Sequence, residues 1–76
     1  METKRAVLGF LAEVGVADAA TVAEAFGLTP TGAASLLLRY HRHGVLRRRR
    51  VEGARRYEYI LSDRGVEWLA WAGGAT

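Results

Sequence analysis

The residues able to do chemistry are concentrated between Arg39 and Arg56, in RYHRHGVLRRRRVEGARR. Arginines at 39, 42, 47, 48, 49, 50, 55 and 56 stand there against one acid, Glu52, for a formal charge of +7. The residues before this stretch carry Lys4 and Arg5 against Glu2, Glu13, Asp18 and Glu24, and those after it carry Arg64 against Glu58, Asp63 and Glu67. Each flank therefore sums to −2, and the net +3 of the chain conceals a strong asymmetry. A one-signed basic face is the electrostatic footprint of a nucleic-acid binder, whose arginines meet phosphates. The competing reading is a solvated arginine-rich surface of the kind thermostable proteins carry, but such surfaces normally mix their signs.

Other reactive side chains lack the spacing that chemistry needs. His41 and His43 are two residues apart on a helical stretch, hence on different faces, and cannot chelate a metal as an i, i+4 pair does. They read as exposed residues near a helix C-terminus, where the protonated form adds phosphate contacts below neutral pH. The carboxylates are scattered, and no Ser/His/Asp set or glycine-rich phosphate loop stands in a supporting context. The sequence therefore predicts no enzyme, no metal site and no cofactor.

Seventy-six residues make one small domain, since chains this short bury only roughly 60% of the surface they expose when unfolded. The absence of cysteine excludes disulfides and thiolate metal sites, which makes an intracellular, cytoplasmic location the default. No apolar run approaches the roughly 20 residues that span a bilayer, and the N-terminus has no signal-peptide pattern, so a soluble protein is expected.

Several short elements must hold the arginines in place. Val7, Leu8, Leu11 and Val14 recur at helical spacing in a helix over 3–14, capped by Thr3 and ended at Gly15. Asp18 caps a second helix over 18–26, with Val22, Ala23 and Phe26 inward and Gly27 closing it. Leu28 then points inward. Thr29 and Pro30 start a third helix over 30–43, with Ala33, Leu36, Leu37 and Tyr40 inward and Gly44 as the stop. A period-two wing over 45–61 follows, built from strands Val45–Val51 and Arg55–Leu61 around the turn Glu52-Gly53-Ala54. Tyr57, Tyr59 and Leu61 share the face that should cover the helices. Ser62 caps a last helix over 63–72 with Gly65, Trp68, Leu69 and Ala72 on the core side, and the tail GGAT is expected to fray.

A small residue in helix two (Ala23), a turn ending in Leu28-Thr29, a helix closing in Gly44-Val45-Leu46, and a wing closing in Tyr59-Ile60-Leu61-Ser62-Asp63-Arg64-Gly65 occur here in one order. In that order, from Val7 to Trp68, the chain resembles the winged helix-turn-helix domain, and within it the small MarR-like and PadR-like regulators of bacteria and archaea. The resemblance implies an α+β, mainly α fold of three helices, a β-hairpin wing and a C-terminal helix, forming a single domain over 1–76. It also implies binding to double-stranded DNA and a role in transcription regulation. The third helix would be the recognition helix, with Thr29, Thr31, Ser35, Leu38, Arg39 and Arg42 toward DNA, and Arg47, Arg48, Arg49, Arg50, Arg55 and Arg56 would supply the wing.

Physical reasoning supports the same assignment, because a helix fits the major groove and a basic ribbon beside it follows phosphates or enters the minor groove. The base-reading face is poor in readers. Its first two turns lack the Arg or Lys that grips guanine and the Asn or Gln that grips adenine, which leaves Thr31, Ser35 and contacts from Ala34 or Leu38 to a thymine methyl. If about four to six wing arginines meet phosphates, log affinity falls with log salt at a slope of roughly −4 to −5. One or two of them are expected to pair with Glu52, Glu58 or Glu67 instead. Phe10, Val66 and Trp71 form the expected seam of a homodimer, which would favour a pseudo-palindromic site. The rival readings are a winged-helix protein-interaction module, a non-specific architectural nucleic-acid binder and an RNA-associated protein.

Overall fold

The structure, a computed structural model, describes residues 3–54 and 56–74, with side chains described as far as residue 71. Its elements run α1 (Thr3–Val14), β1 (Ala17–Asp18), α2 (Ala19–Phe26), α3 (Pro30–Arg42), β2 (Leu46–Arg50), β3 (Tyr57–Leu61) and α4 (Asp63–Gly74). The architecture is α+β, mainly α, and the described residues form four helices and a three-stranded antiparallel sheet of order β1-β3-β2.

The helices form where apolar spacing and capping agree. In α1 the stripe Val7, Leu8 and Leu11 is fully buried. Val14 is in phase with that stripe, yet it is exposed in the last turn beside Gly15, where the chain leaves the core. Asp18 has extended backbone geometry at the head of α2, and its carboxylate accepts from the Thr21 N–H at 2.9 Å and the Thr21 hydroxyl at 2.8 Å. Val22 and Ala23 are buried, while Phe26 is half-buried and meets Phe10 of α1 edge-on at 5.6 Å. Leu28, expected inside, is exposed, because the tight turn between α2 and α3 projects it outward.

Thr29 caps α3 by accepting from the Gly32 N–H at 3.0 Å, and Pro30 sits in the first turn, where its missing N–H costs nothing. At the other end, Gly44 at φ +82° donates to the His41 carbonyl at 3.0 Å, and Val45 donates to the Tyr40 carbonyl at 3.2 Å. This paired closure needs a left-handed residue at Gly44 and buries Tyr40 and Val45 together.

Four features depart from the expected layout. The sheet has a third strand: Ala17 pairs with Tyr59 and Asp18 with Glu58, in a segment too short to show periodicity. The wing strands are shorter than expected and the connection between them longer, residues 51–56. The helix α4 continues through Gly74, into the tail expected to fray. On β3, Tyr59 is buried and Leu61 half-buried, but Tyr57 is exposed, against the expectation that all three cover the core.

The closing turn is a tight joint. Ser62 donates its hydroxyl to the Gly44 carbonyl at 2.6 Å, accepts from the Gly65 N–H at 3.0 Å, and donates its own N–H to the Val45 carbonyl at 3.1 Å. Gly65 is buried so closely on this strand that a Cβ there would collide with the Val45 carbonyl oxygen. Trp68 and Leu69 then pack on the core, and Lys4 of α1 lies 4.5 Å above the Trp68 ring.

Candidate nucleic-acid interface

At roughly 100° per residue, the buried side chains Ala33, Leu37 and Tyr40 define the inner stripe of α3. The opposite stripe carries Thr31, Ser35, Leu38 and Arg42. Thr31, Ser35 and Arg42 are exposed and Leu38 is half-buried. On one flank, Leu36 and Arg39 line an open groove with Thr3, Leu28 and Thr29. On the other, Ala34 lines a shallow cleft with Arg56, Tyr57 and Tyr59 of the wing side. The wing therefore stands beside α3, along its Ala34 flank.

His41 fixes that relationship. Its ring lies on the same flank as Ala34, half-buried, with Nδ1 at 3.0 Å from the Leu46 carbonyl at the base of the wing. A carbonyl only accepts, so Nδ1 carries the proton and donates. The sequence placed both histidines in solvent. His43 is there, at the C-cap, but His41 is a joint between α3 and β2.

The register of the ribbon sorts the wing arginines. Arg48 stands opposite Tyr59 and Arg50 opposite Tyr57, so both share the face that packs on the helices at Leu46 and Tyr59. Beyond the core that face is open, and the Arg48 guanidinium lies 4.2 Å from the Tyr57 ring centroid. Arg47 opposes Ile60 and Arg49 opposes Glu58 on the outer face. Arg49 bonds Glu58 through Nε at 3.1 Å and a terminal nitrogen at 3.0 Å. Arg56 reaches Asp18 at 3.6 Å, a partner that the sequence did not suggest because the strand pairing of β1 with β3 brings it near.

Thr21 bonds first, and the Arg56 charge in addition, hold the Asp18 carboxyl below the usual carboxylate range. Arg47, Arg48 and Arg50 have no ion-pair partner among the described residues. Arg55 lies outside the described residues. Among the described residues no cluster of His, Asp or Glu can hold a metal ion, and no helix is long and apolar enough to cross a membrane.

The remaining named side chains lie apart. Thr29 is exposed at the cap of α3 with its oxygen already accepting a bond. Phe10 is half-buried against Phe26 of α2. Val66 and Trp71 are exposed on α4, five residues and hence roughly 140° apart on its surface.

A helix-turn-helix whose third helix is flanked by a β-hairpin, with a fourth helix closing the sheet, is the winged helix-turn-helix class of DNA-binding fold. Solved structures with this fold include the AntR antimony-specific transcriptional repressor, at 24% identity over 99% of this chain and 66% of that one, with a TM-score of 0.78. The PcaV transcriptional regulator from Streptomyces coelicolor matches at 30% identity over 92% of this chain and 50% of that one, with a TM-score of 0.80. The YusO protein from Bacillus subtilis matches at 19% identity over 88% and 48%, with a TM-score of 0.82. The structural neighbours are MarR-family transcriptional regulators, which bears out the winged-helix resemblance read from the sequence. They are regulators rather than enzymes. The chain spans about half to two thirds of the length of these three neighbours. No protein-family model and no curated protein matches the sequence.

Proposed function

We propose that the chain binds double-stranded DNA and acts in transcription regulation, with α3 in the major groove and the arginine-rich wing on the flanking backbone. The observation that carries this reading is the placement of Arg47, Arg48 and Arg50, exposed and without an acid partner among the described residues, on a ribbon tied by His41 to the flank of α3. The outward stripe Thr31, Ser35, Leu38 and Arg42 faces the groove, with Thr29 and Arg39 beside it. It offers one guanidinium and two hydroxyls, so base readout is thin and the wing supplies most of the affinity. Arginine suits insertion into a narrow A-tract minor groove, where DNA shape supplies the preference.

Arg49 and Arg56 contribute less, since Glu58 and Asp18 already neutralise them. Arg55 completes the wing set. The protein is an intracellular, non-enzymatic regulator, and Trp71 and Val66 on α4, with Phe10, are the residues offered for a homodimer seam. Replacing Arg47, Arg48 and Arg50 together by Gln tests the interface by fluorescence anisotropy on duplex DNA. The expected result is weaker binding to every sequence and a log–log salt slope shallower by roughly 2 to 3. An unchanged slope would show that the wing does not meet the phosphates.

A further inference from the structure

The sheet order leaves β2 at an edge, paired with β3 on one side only among the described residues. The register is unbroken from Ser62, whose N–H donates to the Val45 carbonyl, to Val51, whose N–H donates to the Arg56 carbonyl. Hydrogen bonding alternates along an antiparallel pair, so the odd-numbered residues turn their N–H and C=O toward β3. Leu46, Arg48 and Arg50 turn theirs toward the open edge. At Leu46 the outward carbonyl is taken by His41 Nδ1, which agrees with this parity and closes the end nearest α3. The outward N–H and C=O of Arg48 and Arg50 have no hydrogen-bond partner among the described residues.

Exposed strand edges invite a further strand, and proteins guard them with proline, bulges or charge. This strand has neither proline nor bulge, only charge, and that charge is selective. A second copy would bring its own four arginines alongside and be repelled. An acidic extended segment would be attracted on both sides, because Arg48 and Arg50 project from one face of the ribbon and Arg47 from the other, where Arg49 is already paired with Glu58.

We propose that the free edge of β2 is a docking site for an extended acidic protein segment, added as a fourth strand and bonded to the backbone of Arg48 and Arg50. Main-chain bonds hold the segment, and its carboxylates opposite the guanidinium groups select it. The site goes beyond DNA binding and does not depend on it, although an occupant would cover the guanidinium groups that the DNA reading assigns to phosphates.

The test titrates the full ¹⁵N-labelled chain at low salt with a short peptide of alternating Glu and Val. Two controls are the same peptide N-methylated at every residue, which keeps the charge and removes the N–H donors, and its Lys-for-Glu counterpart. The expected result is that the amide signals of Arg48 and Arg50 shift and become protected from exchange. The N-methylated peptide should bind about tenfold or more weakly, and the Lys peptide should not bind. Equal binding by the N-methylated peptide, shifts confined to other elements, or no binding by the Glu peptide would each overturn the proposal.

Discussion

Among single residues, Asp18 couples the most. Its carboxylate caps α2 through Thr21 and pairs with Arg56, so one side chain ties the helix-turn-helix to the wing segment that leads into β3. Asp18→Ala should cost about 1 kcal/mol of stability, as lost helix caps do, measured by urea unfolding at neutral pH. The carboxyl is held below its ordinary range in the folded state. It therefore contributes stability above about pH 4 that is lost as the pH falls through the folded-state value. Asp18→Asn should flatten the acid limb of the stability profile, and an unchanged limb would remove this role. Glu58 is the corresponding partner on the wing, paired with Arg49. Glu58→Gln should leave stability within about 1 kcal/mol, because exposed pairs are worth little. It should also steepen the salt dependence of DNA binding by up to about 1 in slope, read by anisotropy. A slope no steeper than wild type would mean that Arg49 does not reach DNA even when released.

At the scale of elements, the joint between α3, β2 and α4 decides how helix and wing are presented. Gly65→Ala should destabilise the fold by roughly 1–3 kcal/mol, the usual cost of overpacking, because its methyl group would meet the Val45 carbonyl. Thermal melting checks this, and a melting temperature equal to wild type would contradict the close packing. Ser62 and Gly65 were legible beforehand because caps and close-approach glycines leave residue-type signatures at fixed offsets. The buried stripes of α1 and α3 were legible because they repeat over several turns. The strand β1 was not, since two residues carry no period and their pairing with Tyr59 and Glu58 is set only by the folded chain. His41 was misread for a related reason: helical spacing gives the face of a side chain, but not that the base of the wing would bring the Leu46 carbonyl beside it. The limits of the wing were blurred because arginine fits strand and loop alike, and only hydrogen bonding separates β2 from the 51–56 connection.

For the molecule as a whole, charge is segregated: the basic stretch sits on α3 and the wing, while the acids lie mostly outside that stretch, with Asp18 and Glu58 pairing with two of its arginines. A positive surface of this kind steers association with a polyanion and makes affinity depend on ionic strength before any base is read. The fold is shared with transcriptional regulators, and on the proposed DNA-binding reading the reader-poor stripe on α3 would shift the balance from base contacts to backbone and shape. The most direct measurement is the binding of the purified protein to random-sequence duplex DNA and to a selected site, each over a range of salt concentrations. A steep negative slope is expected on both DNAs, roughly −3 to −5, with tighter binding to the selected site. Absence of binding, or binding nearly independent of salt, would contradict it.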